Sequence, residues 1–245
     1  MNEIDGHPER IIPDETSAGI VSLHLKRYDF AQPYVTGKRV LDIACGVGYG
    51  AAYLRDHAME VVGVDLDQEA ISYAKRRYAG PHNLSFLQAD ATRLDVKDCS
   101  FDVVCSFETI EHVAEVRKYL LEMQRVLVSG GTYIVSTPAA AYSTNRPSNP
   151  HHVQEWSPVD FESLMREYFS RVELFSQLRR ETILALCLKT LDVFKVRTRL
   201  RSLALPRGMA KIAGVRTTAD LQMHDILIVP GISRRATEII AVCQK

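Results

Sequence analysis

The 245-residue sequence has no surplus of charge of either sign, because 30 basic residues balance 30 acidic ones. A neutral balance gives no overall attraction to nucleic acid or to an anionic membrane surface. No run of 18 apolar residues occurs, so the sequence predicts no membrane-spanning helix. The N-terminus, MNEIDGHPERIIPDE, is polar and acidic without an apolar segment, so no signal peptide is expected there.

Cysteine is scarce, and the five cysteines have neither metal-binding nor disulfide spacing. They are expected to be reduced thiols, which indicates a cytoplasmic location. The sequence also lacks internal repeats. What it does have is a hydrophobic content of 46%, enough for a sizeable core in one large α/β domain or in a domain with an elaboration.

A glycine-rich stretch, VLDIACGVGYG at Val40–Gly50, organises the rest of the sequence. Its apolar start predicts a buried strand, and its glycines predict a turn into a helix at Ala51–Asp56. Residues without a Cβ atom let backbone N–H groups approach a ligand closely. Nineteen residues after Gly46, the apolar run Val61–Val64 ends in Asp65. An acidic residue at that distance hydrogen-bonds ribose hydroxyls in doubly wound folds.

Two further apolar runs end in the same manner. Residues 85–89 are followed by Asp90, and residues 101–106 are followed by Phe107 and Glu108. Ligands in open α/β sheets lie at the carboxyl ends of strands, so these residues are expected to share one site with the glycine turn.

A dinucleotide-binding dehydrogenase is the competing interpretation of the glycine turn. That class requires the pattern Gly-x-Gly-x-x-Gly. Gly46, Gly48 and Gly50 do not supply this spacing, because position 51 is Ala51. The dehydrogenase interpretation is therefore disfavoured.

The four motifs together resemble those of the class I S-adenosylmethionine-dependent methyltransferases. The matching segments are DIACGVG at 42–48, VGVD at 62–65, QADA at 88–91 and FDVV at 101–104. Ala44 stands where that family more usually has a glycine, and little effect is expected because alanine is small. The resemblance implies that S-adenosylmethionine is the cofactor. It implies a cofactor site that includes Asp42, Ala44, Gly46, Gly48, Asp65, Leu66, Asp90, Ala91, Phe107 and Tyr28.

The alternation of strands and helices predicts a Rossmann-like, doubly wound α/β fold. The expected sheet has seven mainly parallel strands and an antiparallel last strand. Residues 1–36 are expected to form an N-terminal arm with a lid helix at Ser17–Phe30. Residues 37–176 with 237–245 should form the methyltransferase core, and residues 177–236 a helical insertion.

Two loops carry the residues best suited to catalysis, and they are expected to meet because the fourth and fifth strands should be neighbours. The first loop has the sequence Glu-Thr-Ile-Glu-His at 108–112 and leads into a helix predicted at Glu111–Leu127. Residues three and four apart on that helix would face the same way. The second loop, residues 147–156, contains His151 and His152.

These loops resemble the small-RNA 3′-terminal 2′-O-methyltransferases in the pair Glu-x-x-Glu-His and His-x-x-Glu-Trp. The first motif also resembles the ubiquinone-pathway O-methyltransferases. The RNA-enzyme resemblance implies a metal site that binds vicinal hydroxyls, with the ligands Glu108, Glu111, His112 and His152. Magnesium, manganese or cobalt would suit such ligands. Two other interpretations stay open: a metal-free base at His112, His151 or His152, and carboxylates that only balance the sulfonium charge or cap a helix.

A basic segment lies within the predicted insertion. Residues 179–216 contain ten basic and two acidic residues with interleaved leucines, so the segment is amphipathic. It is expected to form a helical cap with solvated charges or an oligomer contact. The other interpretations are a site for an anionic acceptor, such as a sugar phosphate, and a membrane-surface contact for a lipid acceptor.

A hydroxyl group must lose its proton when it is methylated, which a positioned base or a metal can accomplish. The motifs therefore favour O-methylation of a small molecule, a sugar or a glycoconjugate. RNA and lipid or quinone acceptors are the alternatives, although no RNA-binding module is recognisable. A non-catalytic binding module is disfavoured, because an intact cofactor loop stands beside a polar loop pair.

Overall fold

The computed structural model describes residues 10–180 and 218–245 of the chain. These residues form one sheet flanked by helices. The strands are β1 (Arg39–Ile43), β2 (Glu60–Asp65), β3 (Leu84–Gln88), β4 (Phe101–Phe107), β5 (Leu127–Pro138), β6 (Arg171–Arg179), β7 (Ile226–Pro230) and β8 (Glu238–Gln244). The α-helices are α1 (Ala18–Val35), α2 (Tyr49–Leu54), α3 (Gln68–Arg77), α4 (Val116–Val126) and α5 (Pro158–Tyr168).

The sheet has the strand order β3-β2-β1-β4-β5-β8-β6-β7. Strands β1 to β5 pair in parallel, whereas β8 is antiparallel to both β5 and β6, and β7 is antiparallel to β6. The strand order reverses between β1 and β4, which is where doubly wound sheets bind ligands. The Rossmann-like fold class, with its mainly parallel sheet and antiparallel last strand, is confirmed.

The sheet has one strand more than the seven predicted. The additional strand, β7, lies within residues 177–236, which were predicted to form a helical insertion. Its apolar sequence, ILIVP, pairs with β6, because the edge of β6 would otherwise leave backbone N–H and C=O groups without partners. Residues 181–217 of the predicted insertion lie outside the described residues.

The helix predicted at Glu111–Leu127 begins later in the structure. A 3-10 turn of three residues comes first, and α4 starts only at Val116. The reason is tertiary, because the carbonyl of Glu111 accepts a hydrogen bond from the N–H of Val153 at 2.8 Å. That carbonyl is then committed to the loop after β5 rather than to a helical turn.

Two hydrophobic clusters cover opposite faces of the sheet, as the alternation of side chains along each strand requires. Helices α4 and α5 pack on one face, and α1, α2 and α3 pack on the other. Helix α1 continues past the predicted end of the lid helix at Phe30, because Ala31 and Val35 are fully buried. Within the described ranges, no helix combines the length and the apolar character needed to cross a membrane.

Candidate functional site

The glycine-rich loop between β1 and α2 adopts the tight turn that its sequence predicts. Gly46 and Gly48 have φ angles of 54° and 83°, which glycine adopts without the steric cost of a Cβ atom. A Cβ atom on Gly48 would lie 2.6 Å from the Phe86 ring, whereas one on Gly46 would meet nothing within 4 Å. Ala44 has a φ of 53°, a left-handed conformation that L-residues disfavour.

Asp65, at the end of β2, ties two loops together. Its Oδ2 accepts a hydrogen bond from the backbone N–H of Gly46 at 2.8 Å, and its Oδ1 accepts one from the N–H of Asp67 at 2.9 Å. Asp67 in turn caps α3 and is paired with Arg10 of the N-terminal arm. The acidic residue predicted to bind ribose therefore also holds the glycine loop in place.

A cavity of about 360 Å³ opens at the carboxyl ends of β1, β2 and β3. Half of the predicted cofactor residues line it, namely Ala44, Asp65, Leu66, Asp90 and Ala91. His112, predicted as a catalytic residue, lines the same cavity. The backbone N–H and the hydroxyl of Thr92 both donate to Asp90 Oδ1 at 2.8 Å, which lowers the pKa of Asp90. Asp90 is therefore kept ionised as a hydrogen-bond acceptor in the cavity.

Three predicted cofactor residues support the glycine loop and do not line this cavity. Asp42 is fully buried, and the Tyr28 hydroxyl donates to its Oδ1 at 3.3 Å. The Tyr28 ring packs against Gly50, where a Cβ atom would lie 1.9 Å from the ring, and meets Phe107 edge to face at 4.9 Å between centroids. Burial and the nearby charge of Asp65 raise the pKa of Asp42 to about 8, because they outweigh the hydrogen bond from Tyr28.

The two predicted carboxylates after β4 lie in different environments. Glu108 has a φ of 53°, and its Oε1 accepts a hydrogen bond from Ser136 Oγ at 2.7 Å. Glu111 is 1% exposed, and its Oε2 accepts one from Thr137 Oγ1 at 3.0 Å. Its Oε1 is buried and has no hydrogen-bond partner among the described residues. Burial, with the nearby charge of Glu108, raises the pKa of Glu111 well above its ordinary value.

Two of the predicted histidines stand beside Glu111. One ligand atom from each of Glu111, His112 and His152 lies within 4.8 Å of the other two. The two imidazole rings meet edge to face, with 5.0 Å between centroids. Glu108 is not a member of this three-residue cluster, although the sequence predicted it as a ligand. His151 takes part through its backbone carbonyl, which accepts a hydrogen bond from His112 Nδ1 at 2.9 Å.

That hydrogen bond fixes the tautomer of neutral His112. A carbonyl oxygen only accepts, so Nδ1 carries the proton and the lone pair lies on Nε2. The parallel neighbours β4 and β5 bring the two loops together, as the predicted strand adjacency requires.

The loop after β5 orients His152 through two residues that were not predicted as site residues. His152 Nδ1 donates to Glu155 Oε1 at 2.7 Å, and Asn149 Nδ2 donates to His152 Nε2 at 3.0 Å. Asn149 Oδ1 accepts from the N–H of His151 at 3.0 Å, which fixes the orientation of the amide. The sequence signal for Glu155 was its three-residue spacing from His152 in the His-x-x-Glu-Trp motif, and Asn149 had no such signal.

A buried ionic group near Glu108 was also not predicted. Arg27 of α1 is 1% exposed, and its Nη2 donates to His24 Nδ1 at 2.9 Å. Burial acts to lower the pKa of Arg27, but the carboxylates of Glu108 and Glu238 raise it. Glu238 accepts a hydrogen bond from Gln177 Nε2 at 2.7 Å. Nothing in the sequence distinguishes an arginine at this helical position from a solvated one.

Known proteins share these motifs and this fold. The family model described as a methyltransferase domain matches residues 41–135. A probable S-adenosylmethionine-dependent methyltransferase of Mycobacterium tuberculosis is 34% identical over 161 residues, which cover 64% of this chain and 58% of that protein. A phthiotriol/phenolphthiotriol dimycocerosates methyltransferase of Mycobacterium leprae is 33% identical over 177 residues, which cover 71% of this chain and 62% of that protein.

Solved structures agree on the fold. The structure of an S-adenosylmethionine-dependent methyltransferase from Thermotoga maritima matches with a TM-score of 0.63 over 92% of each chain, at 16% identity. The chain spans less than two thirds of the length of the curated relatives named above. The domain match over residues 41–135, the relatives and the sheet topology support a class I S-adenosylmethionine-dependent methyltransferase.

Proposed function

We propose that this protein transfers a methyl group from S-adenosylmethionine to a hydroxyl group of a small molecule, a sugar or a glycoconjugate. The observation that carries the choice of a hydroxyl is the cluster of Glu111, His112 and His152. A hydroxyl must lose its proton to be methylated, and this cluster offers a base or a cation site for that purpose. His112 also lines the cavity, so the cluster adjoins the space for the cofactor.

The cavity fits the cofactor on three observations. The position of a Cβ atom on Gly46 is open space, so a ligand can approach the loop backbone there. Each carboxylate oxygen of Asp65 accepts one backbone hydrogen bond and has a lone pair left for a ribose hydroxyl. Ionised Asp90 can accept from the adenine amine. Bound S-adenosylmethionine supplies an electrophilic methyl group on a cationic sulfur, and the loop residues would align it with the acceptor.

The same cluster fits a divalent cation such as magnesium, manganese or cobalt. One carboxylate and two imidazoles form a donor set that first-row transition ions accept. Glu111 Oε1, which has no hydrogen-bond partner among the described residues, would become a ligand. Glu155 would orient His152, and His152 Nε2 would exchange the hydrogen bond that it accepts from Asn149 for the cation. Such a cation would lower the pKa of an acceptor hydroxyl. Without a cation, the Nε2 lone pair of His112 is the candidate base.

Manganese binding tests the cation directly. In calorimetric titrations of chelator-treated protein, Glu111→Gln and His152→Ala should weaken Mn²⁺ binding, while His82→Ala, outside the cluster, should not. Affinity should rise with pH, because the raised pKa of Glu111 makes protons compete with the cation. Mn²⁺ that fails to bind the unaltered protein would eliminate the cation and leave His112 as the base.

Methyl transfer tests the activity itself. Protein supplied with cofactor labelled in the methyl group is incubated with neutral sugars, phenols, polar lipids and RNA, and label transfer is measured. Transfer to a hydroxyl of a sugar or small molecule is the expected result. Transfer only to amines, or to RNA, would contradict the proposed acceptor.

A lipid-linked acceptor is the second candidate. The relative from Mycobacterium leprae is named for methylation of phthiotriol and phenolphthiotriol dimycocerosates. The basic, leucine-rich sequence of residues 179–216 would suit an anionic membrane surface. Binding to anionic vesicles that is lost at high salt, together with label transfer to a vesicle-borne hydroxyl, would favour this candidate over a free sugar.

A further inference from the structure

We propose that Arg10 is a positioning residue for the cofactor and acts through Asp67 on Asp65. Arg10 belongs to the arm, residues 10–16, which precedes α1. This role rests on the proposed function, because it concerns the site in which S-adenosylmethionine would bind. It implies that docking of the arm and binding of the cofactor strengthen each other.

The arm lies along α3. At one end, Arg10 pairs with Asp67, the N-cap residue of that helix. At the other end, Arg77 Nε in the last turn of α3 lies 4.0 Å from Asp14 Oδ2. Between these two contacts, Ile12 is 7% exposed. The arm therefore follows α3 from its first turn to its last.

The ion pair at the first turn is largely shielded from solvent. The side chain of Arg10 is 9% exposed and that of Asp67 is 35% exposed. Burial acts to raise the pKa of Asp67, but hydrogen bonds from Arg10 and from the first amides of α3 lower it. Asp67 is therefore ionised, and removing Arg10 would leave a partly buried carboxylate without its cation.

Arg10 and the helix cap use different oxygen atoms of Asp67. Its Oδ1 accepts hydrogen bonds from the N–H groups of Glu69 and Ala70 at 2.6 and 3.3 Å, and Oδ2 accepts from Arg10 Nη2. Since the cap does not need Arg10, loss of that side chain should leave the start of α3 in place. The effect expected from Arg10 is on the orientation of Asp67, not on the formation of the helix.

Asp67 transmits this orientation to the cavity proposed for the cofactor. Its N–H donates to Asp65 Oδ1 at 2.9 Å, and the N–H of Gly46 donates to Asp65 Oδ2 at 2.8 Å. Asp65 lines the cavity. Its carboxylate is thus held between the glycine loop and the residue that Arg10 holds, so a shift of Asp67 would turn the lone pairs proposed to bind ribose.

Calorimetric titration of S-adenosylhomocysteine, the cofactor without its methyl group, tests this role. Arg10→Met should weaken binding about fivefold, the lower end of the usual coupling between two sites. Arg10→Lys keeps the charge and should recover most of the affinity. Arg77→Met removes the exposed pair at the other end of the arm, and this matched control should bind normally.

A double-mutant cycle separates positioning from a merely structural role. In an Asp65→Ala background, Arg10→Met should weaken binding no further, because the residue through which it acts is absent. An arm that only stabilised the fold would cause the same loss of affinity in both backgrounds.

Hydrogen exchange measures the coupling from the other side, since linkage is reciprocal. In unaltered protein, S-adenosylhomocysteine should slow exchange of the Glu15 and Thr16 amides, which donate to the carbonyl of Ile12. The slowing should be lost in Arg10→Met.

Equal affinity of Arg10→Met and unaltered protein would overturn the proposed role, and so would an equal loss in the Asp65→Ala background. If Arg10→Met does not fold, the exchange measurement on unaltered protein decides, because arm amides that do not respond to S-adenosylhomocysteine also overturn it. Unaltered protein that fails to bind S-adenosylhomocysteine would contradict the proposed function itself, and the role of Arg10 with it.

Discussion

Individual ionisable side chains at the carboxyl edge of the sheet are buried more deeply than most charged groups. Asp42, Glu111 and Arg27 are each 1% exposed or less. Burial favours the neutral form of a carboxyl group, which is why the pKa values of Asp42 and Glu111 are raised. If a cationic cofactor binds nearby, its positive charge would favour the ionised form of these carboxyl groups.

Asp42 should make the stability of the protein without cofactor fall as pH rises. Its folded pKa of about 8 lies above the ordinary value of 3.8, so the native state holds a proton that the unfolded state releases between these values. Asp42→Asn removes this cost. Its stabilising effect, measured by urea unfolding, should grow by roughly 1.4 kcal/mol per pH unit between about pH 4 and 8.

Asp102→Asn serves as a control of opposite sign. The pKa of Asp102 is lowered, because hydrogen bonds and charge from Arg39 outweigh burial. Asp102 therefore contributes stability above its unfolded pKa and loses it as the pH falls. Asp102→Asn should destabilise the protein at pH 7 and have less effect near pH 3. An Asp42→Asn effect that is independent of pH would refute the buried-proton interpretation.

Asp65 should matter for the cofactor more than any exposed carboxylate nearby. Asp65→Ala leaves the N–H groups of Gly46 and Asp67 without their acceptor and removes the predicted ribose contact. Affinity for S-adenosylmethionine should fall by about 1–3 kcal/mol in calorimetric titration. Asp56→Ala, at an exposed position, is the control and should bind normally. Equal affinity in both variants would remove Asp65 from the cofactor site.

At the scale of secondary structure, the unit β1–loop–α2 sets the shape of the proposed cofactor site. Left-handed backbone at Ala44, Gly46 and Gly48 reverses the chain at the strand end, so that α2 can begin directly after Gly48. The two glycines differ in their surroundings, because Gly48 faces packed side chains and Gly46 faces open space. Their substitution should therefore have different consequences.

Gly48→Ala should cost stability, and Gly46→Ala should chiefly cost cofactor affinity. The added methyl group on Gly48 would overlap Phe86 and Ala74, so about 2–3 kcal/mol of destabilisation is expected, from overpacking and a disfavoured φ. On Gly46 it meets no protein atom, so only about 1–2 kcal/mol from the disfavoured φ is expected. Thermal unfolding with and without S-adenosylmethionine measures both effects. Similar destabilisation by the two changes would contradict this assignment.

At the scale of the whole molecule, the sheet separates the two parts of the proposed site. The cavity proposed for the cofactor lies at the ends of β1, β2 and β3, while the Glu111 cluster and buried Arg27, with Glu108 and Glu238, lie toward β4, β5 and β8. This division follows from strand order alone, because β4 stands next to β1 in the sheet although two strands separate them in the chain. In the chain, residues 181–217 lie between β6 and β7.

Replacing residues 181–217 with a short glycine–serine linker should spare cofactor binding and abolish methyl transfer. Residues 218–236 must be kept, because β7 pairs with β6 and Ile226 packs against Leu23 of α1. A short linker is sufficient because the residues on either side of the replaced segment are close together. Arg179 Nη1 donates to Thr218 Oγ1 at 2.8 Å. Unchanged affinity for S-adenosylhomocysteine is the internal control. Normal methylation by the shortened protein would refute a role of the segment in acceptor choice.

The sequence by itself determined the features that depend on neighbours along the chain. Apolar runs that end in Asp65, Asp90 or Glu108 define strands, and the glycines after β1 define the turn, so the doubly wound fold could be predicted. Local spacing also brought Glu111 and His112 together, and it related His152 to Glu155. These features follow from backbone sterics and from the period of apolar side chains, which a single segment carries.

Tertiary structure decided what depends on distant segments. The bond from Val153 to the Glu111 carbonyl replaced a predicted helix with a 3-10 turn, and the free edge of β6 recruited β7 from the predicted insertion. Buried Arg27 keeps its charge because the carboxylates of Glu108, which follows β4, and Glu238, at the start of β8, raise its pKa against burial. Burial and charge pairing are sums over residues far apart in the chain, and for that reason periodicity and motif spacing do not contain them.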